Sequence, residues 1–384
     1  MPIDTLSPQQ SLAWKDRVLP AVEEVAEGVW AIPVPIPNNP LVYTYCYAIA
    51  DGSGVVLIDP GWDGRDQYSA LTSALAEIGF AVADIHGIAV THYHRDHIGL
   101  VPALLQANPA MWLAIHGEDL RAVKRFASRA LDLGTGIDPN LNIARAYGVP
   151  EDRWHEVESL QVSKPKRGGE PGTAPKSDPF ARQMAHLPDS ILVLDDGSEL
   201  PLEAGGVRAL WSPGHTNGHS AFVRDDSLLF SGDHVLPTIT PNIGLDSGSI
   251  THSLADYLGS LEKIGDLPED IAVLPAHGFR FRGLRERKRE LVDHHRERLA
   301  EIEARMEPPK TTPCTRSPRA CTGPAASTSS TTSTSSPPSP RPPPTCTTST
   351  STSAWTSSSR RGAHERRGGS GRRRPPRALH HPGP

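Results

Sequence analysis

The sequence predicts an α/β protein built as an αββα sandwich, two sheets face to face with helices outside, followed by a disordered low-complexity tail. Three observations predict it. Between residues 55 and 116 the order is strand, helix, strand, helix, strand, the layering of an α/β fold. After about residue 188 a second β-rich half follows in similar order. In both halves polar residues leave the ends of apolar runs, which places one site at the edge the two sheets share.

Residues 22–60 read as β-structure: "VWAIPVPI", "VYTYCYAIA" and "GVVLID" are rich in β-branched and aromatic residues and are bounded by the turn signals "PNNP" and "DGSG". "DQYSALTSALAEIGF" has helical apolar spacing and ends at Gly79. "IHGIAVTH" is a short buried strand, "HIGLVPALLQANP" a helix with Pro102 near its first turn, and "MWLAIH" another strand. From Glu118 to Pro188 the pattern changes to a polar helix, "EDLRAVKRFASRAL", and a turn-rich loop. That segment is either a lid over the site or a peripheral decoration. The second half comprises "ILVLDDGSEL", "GGVRALWSPGH", "SAFVRDDSLLFSGDH", the helix "DYLGSLEKI", the strand "IAVLPAH" and a long charged helix ending near Met306. Residues 1–305 are thus expected to form one catalytic domain.

Residues 306–384 are different in kind. From Glu307 onward there is no Ile, Val, Phe or Tyr, one leucine (Leu379) and one tryptophan (Trp355), too little to bury a core. The tail reads either as a genuine Pro/Ser/Thr/Arg-rich linker or as the product of a frame disruption near residues 306–312. G/C-rich codons shifted by one nucleotide turn "PTCTTSTSTSAWTSS" into an amphipathic run of Leu, His, Asp and Val; the coding DNA decides between the two. The tail carries a net charge of +10 against −5 for the whole chain, which leaves the body near −15. An acidic body argues against nucleic-acid binding, and the basic tail reads as a solvated run or a site for acidic partners. One cysteine in the body, Cys46, permits no internal disulfide there and suits core packing in a cytoplasmic protein. No secretory leader is recognisable and no apolar run is long enough to span a membrane. Nothing in the sequence sets an oligomeric state.

The chemistry is concentrated in "THYHRDH", Thr91–His97. His92 and His94 are two apart on a strand end and point the same way, with Tyr93 opposite as packing or pocket wall. Asp96 and His97 follow in the turn. Imidazoles with one hard carboxylate suit Zn²⁺, and Fe or Mn fit the same donors. By chance such a pattern arises in on the order of a few per thousand chains of this histidine content. Further strand ends offer His215 and His219 in "SPGHTNGH", Asp233 and His234 in "LLFSGDH", and His277 in "AVLPAHG". His219 reads as a hydrogen-bonding support and His234 as pointing away. His86, His116, His155, His186, His252, His294 and His295 read as ordinary.

T-H-x-H-x-D-H, then P-G-H-T-x-G-H, S-G-D and P-x-H-G together resemble the metallo-β-lactamase fold superfamily, and within it the glyoxalase II-like hydrolases, over about residues 28–300. "LIDPGWD" resembles that family's D-x-G turn. The resemblance implies that His92, His94 and His215 bind one metal, that Asp96, His97 and His277 bind the other, and that Asp233 bridges them, with Asp59 behind the ligands. It implies two zinc ions sharing a hydroxide, Asp96 and Asp233 as the catalytic carboxylates, and hydrolysis of a thioester, ester or lactone of a small-molecule substrate. Asp96 stands where the β-lactam-cleaving members carry Cys. The family's C-terminal helical or winged-helix segment is replaced by the tail. The alternatives are a mononuclear iron persulfide dioxygenase, a nuclease of the same fold, and a non-catalytic metal-binding protein with a damaged pocket. On the "EDLRAVKRFASRAL" helix, Arg121, Lys124, Arg125 and Arg129 read either as a clamp for an anionic thioester or as a solvated basic face.

Overall fold

A computed structural model describes residues 3–131, 148–156, 179–188, 190–203, 205–243 and 252–306. The tail from Glu307, Arg129's side chain and much of the 118–188 insertion lie outside the described residues, as does the expectation of disorder placed on the tail.

The N-terminus supplies strand β1 (Asp4–Thr5) and helix α1 (Pro8–Asp16). The Ser7 hydroxyl caps that helix by accepting from the Gln10 amide at 3.2 Å, with Pro8 in its first turn. One seven-stranded sheet runs in sequence order: β2 (Glu23–Ala26), β3 (Val29–Pro35), β4 (Tyr43–Asp51), β5 (Gly54–Ile58), β6 (Ile85–Ala89), β7 (Trp112–His116) and β8 (Ile191–Leu194). Pairing is antiparallel from β2 to β5 and parallel from β5 to β8. The second sheet has the order β1, β13 (Phe281–Arg282), β12 (Ala272–Pro275), β11 (Leu228–Gly232), β10 (Ser220–Arg224), β9 (Val207–Trp211).

Apolar alternation explains the layering. On β4, Tyr43, Tyr45, Tyr47 and Ile49 face the second sheet and pack with Phe222, Phe230 and Leu274. Cys46 and Ala48, one residue out of phase, face the outer helices, as the period of two requires. The outer face of the first sheet is covered by α2 (Arg65–Glu77), α4 (Val101–Ala107), α5 (Gly117–Leu131) and α6 (Pro179–Met184), with the four-residue α3 (Arg95–Ile98) before α4. The second sheet is covered by α7 (Ser253–Ile264) and α8 (Leu284–Glu303) through Tyr257, Leu261, Leu284 and Leu291. This is the expected αββα sandwich.

Three details differ from expectation. "ILVL" of β8 does not open the second half; it completes the first sheet, parallel to β7. A four-residue apolar run fits either sheet, and the connection through the insertion decides. β1, from a segment with no strand signal, pairs with β13. The helix expected over "HIGLVPALLQANP" is two helices interrupted at Gly99 and Leu100. The turn after β5 presses on that break: a Cβ on Gly99 would lie 2.3 Å from both the Arg95 carbonyl and the Asp63 amide. The Leu100 amide donates to the Gly61 carbonyl at 3.1 Å. Among the described residues no helix is long and apolar enough to cross a membrane.

Candidate metal centre

Four loops carry the site, each leaving the end of a strand. The loop after β6 supplies His92, His94, Asp96 and His97 from the first sheet. The loops after β9, β11 and β12 supply His215, Asp233 and His277 from the second. The structure brings all seven side chains together. His92 Nε2 lies 2.9 Å from His94 Nδ1, and His215 Nε2 lies 3.2 and 3.0 Å from those two atoms. Ligand atoms at 2.0–2.1 Å from one tetrahedral ion are about 3.3 Å apart, so this trio fits a single ion. Opposite it, His277 Nε2 is 3.4 Å from Asp96 Oδ2, and His97 Nε2 is 3.8 Å from the same oxygen. Asp233 lies between the two groups. Its Oδ2 is 3.4 Å from His215 Nε2, while its Oδ1 is 3.2 Å from His277 Nε2 and 3.6 Å from His97 Nε2.

The neighbours of these rings settle which nitrogen faces the cluster. Nδ1 of His97 is 2.8 Å from Asp59 Oδ2, Nδ1 of His215 is 2.6 Å from the Asn242 carbonyl, and Nδ1 of His277 is 2.9 Å from the Tyr43 carbonyl. Each acceptor takes the Nδ1 proton, so that in the neutral ring the Nε2 lone pair turns inward. His92 Nδ1 donates to the Thr91 hydroxyl at 3.1 Å, which in turn donates to Asp59 Oδ2 at 2.6 Å. Nε2 of His97, Nε2 of His277 and Oδ1 of Asp233 are fully buried with no hydrogen-bond partner. Orphaned buried polar atoms are rare and costly; three facing one another fit a cation that accepts them all, and the same side chains form groups that could hold metal ions.

Asp59 shows how far the chain goes to present this carboxylate. Its φ is +55°, the left-handed region that an acid tolerates better than most residues. It accepts from the Thr91 amide at 2.7 Å, from the Thr91 hydroxyl and from His97. His219 does not join the cluster. Its Nδ1 donates to Ser212 Oγ at 2.9 Å, and its Nε2 accepts from the Asp233 amide at 3.3 Å, holding that backbone in place. His234 is buried against the Tyr257 ring at 4.7 Å between centroids.

Electrostatics divide the centre in two. Burial, followed by the neighbouring imidazoles, holds His92 far below the usual histidine range and lowers His94 to about 3. Burial also lowers His215, so the trio is neutral at pH 7 and ready for a metal. Burial also opposes charge on His97 and His277, but Asp59, Asp96 and Asp233 outweigh it for His97, and Asp233 and Asp96 lift His277 to about 10. In metal-free protein at pH 7 these two imidazoles are protonated, so loading their half releases protons. Affinity there should rise with pH up to about 10. Calorimetric titration with zinc in two buffers of different ionisation enthalpy reads the protons released; a count of zero at pH 7 would contradict this assignment.

One contributor escaped the sequence. Asp119, in the first turn of α5 and 1% exposed, accepts from the Tyr93 amide (2.9 Å), the Thr216 hydroxyl (2.8 Å) and the Gly218 amide (2.7 Å). It ties the loop bearing His92 and His94 to the loop bearing His215. A Cβ at Gly218 would lie 2.5 Å from the Asp119 amide, so only glycine permits this approach. In sequence, Asp119 resembles any acid at a helix start. Asp119→Asn turns an amide N–H toward backbone donors and should weaken metal binding at the three-histidine group about 10–100-fold, measured by competition with a chromophoric chelator.

Of the basic residues of α5, Arg121 is the one whose pairing the structure shows. Arg121 pairs with Glu118 on the surface, and the pocket that His94 helps to line includes Val123 and Phe126 of α5 but not Arg121, Lys124 or Arg125.

Comparison with known proteins follows the same lines. A model of the metallo-beta-lactamase superfamily matches residues 39–277. The chain is 26% identical over 294 residues to the lactamase-like protein adaB of Aspergillus niger, covering 75% of this chain and 67% of that one. It is 23% identical over 261 residues to an atrochrysone carboxyl ACP thioesterase of Aspergillus fumigatus, covering 67% of this chain and 58% of that one. Among solved structures, a metallo-beta-lactamase family protein of Thermus thermophilus superposes with a TM-score of 0.55 at 28% identity, covering 73% of this chain and 83% of that one.

Proposed function

The chain belongs to the metallo-beta-lactamase superfamily, and from that premise we propose that it is a hydrolase of thioesters, esters or lactones working with two divalent ions, zinc foremost. In this reading His92, His94 and His215 hold one ion, Asp96, His97 and His277 hold the other, and Asp233 lies across both. The observation that carries it is Asp233 itself, whose two oxygens address opposite halves of the centre, one toward His215 and one toward His277. When bound, such a pair lowers the pKa of water to about 7 and polarises a carbonyl oxygen.

The protein's own residues do the positioning. Asp233 sets the separation of the halves, and Asp96 adds a second carboxylate to the half that holds His97 and His277. Asp59, Asn242 and Tyr43 fix the rings that face inward. No side-chain nucleophile is needed. Cys46 is buried among apolar residues of the first sheet's outer face, and burial pushes its thiol far above the usual range, so it supplies no thiolate. Similarity to a carrier-protein thioesterase supports a thioester within the three bond types.

The test is a panel of thioesters, esters, lactones and β-lactams offered to zinc-loaded protein, with oxygen consumption by iron-loaded protein on a persulfide followed in parallel. Chelator-sensitive hydrolysis of one of the first three classes is the expected result. Oxygen uptake by a single-iron form with no hydrolysis, or turnover confined to β-lactams, would refute the reading.

A further inference from the structure

Beside His94 the structure holds an apolar pocket of about 170 Å³. Its walls are Tyr93, Ile98, Val123, Phe126, Phe180 and Met184, contributed by the metal-bearing loop, α3, α5 and α6. The pocket lies beside the centre, because His94 belongs to both. Among the described residues that line it, the charged one is Arg95, which pairs with both carboxylate oxygens of Asp63, its guanidinium 5.0 Å from the Trp62 and Phe180 ring centroids. The described lining is mostly carbon, with its cation engaged by Asp63, and it favours an apolar group over an anion.

We propose that this pocket is the acyl subsite, receiving an apolar chain or aryl ring of about six to eight carbons on the carbonyl side of the scissile bond. The proposal rests on the hydrolytic reading above and adds the kind of acyl group. Size sets the carbon count: an apolar cavity of about 150 Å³ accommodates benzene, so this one takes a ring or a short chain. Position sets the side of the bond. A carbonyl oriented at the centre projects its substituents past His94, and the thiol carriers of thioesters are polar within a few bonds of sulfur, so the apolar recess suits the acyl group. The insertion between β7 and β8 thereby supplies specificity through Val123, Phe126, Phe180 and Met184, and the basic face of α5 does not.

The experiment measures binding of straight-chain carboxylates, acetate to decanoate, to the zinc-loaded full chain by calorimetry, beside kcat/KM for the matching acyl thioesters and esters. Affinity should rise about fourfold per methylene up to about eight carbons and then level. Val123→Phe, which fills the pocket, and Phe126→Ala, which removes a wall at a position 40% exposed and so spares the fold, should each cut the octanoate-to-acetate ratio at least about tenfold, by the loss of two or more methylene contacts. Flat affinity along the series, or ratios unchanged in both variants, overturns the proposal. Rising affinity with no turnover of any thioester, ester or lactone leaves the pocket standing and removes the hydrolytic reading. Turnover with no chain-length dependence and flat acid binding does the reverse.

Discussion

Replacing Asp233 with asparagine should cost at least about 10³-fold in kcat/KM and reduce zinc content from two ions per chain toward one. A metal pair contributes several kcal/mol of transition-state stabilisation, and each 1.36 kcal/mol is a factor of ten. Asparagine keeps the volume but supplies one oxygen where two are used, so the contact with His215 or that with His97 and His277 is lost. The remaining nitrogens stay buried without a shared acceptor. Elemental analysis and steady-state kinetics on the same preparation check both parts. Unchanged metal content with full activity would show that Asp233 does not join the halves.

Exhaustive chelation should abolish turnover and lower the melting temperature by about 8 °C. A ligand at 1,000 times its Kd stabilises the native state by about 4 kcal/mol, and in a chain of this size each kcal/mol moves the midpoint by about 2 °C. Metal-free protein at pH 7 instead buries two protonated imidazoles, His97 and His277, against Asp96 and Asp233, buried charge that is costly to hold. Differential scanning calorimetry with and without re-added zinc reads the shift. Activity that survives chelation would remove the metal from the mechanism.

The fold was legible wherever burial has a period. Tyr43, Tyr45 and Tyr47 alternate with Thr44, Cys46 and Ala48, and that pattern alone separates the inter-sheet core from the helix layer. The seven clustered side chains were legible as candidates because they follow apolar strands closely, and their grouping came from the resemblance of the four motifs taken in order. What was not legible depends on partners distant in the chain. β8 carries four apolar residues that suit either sheet. The interruption at Gly99 is imposed by Gly61 and Asp63 across a contact that no local pattern records. Asp119 is defined by two backbone amides and one hydroxyl from other loops. Arg121 had its nearest acid three residues away, and the structure spends it there.

The seven side chains divide four and three between the sheets: His92, His94, Asp96 and His97 come from the first, and His215, Asp233 and His277 from the second. During synthesis the ribosome releases the first four long before His277, the last of the set. A nascent chain that has completed only its first sheet owns no finished half of the centre, since even the three-histidine group waits for His215 and the other for His277. The complete set of seven is therefore assembled only after His277 has emerged and the two sheets have closed. If the proposed hydrolysis holds, turnover in a translation reaction reports chains that have passed His277, and chains stopped before it are silent.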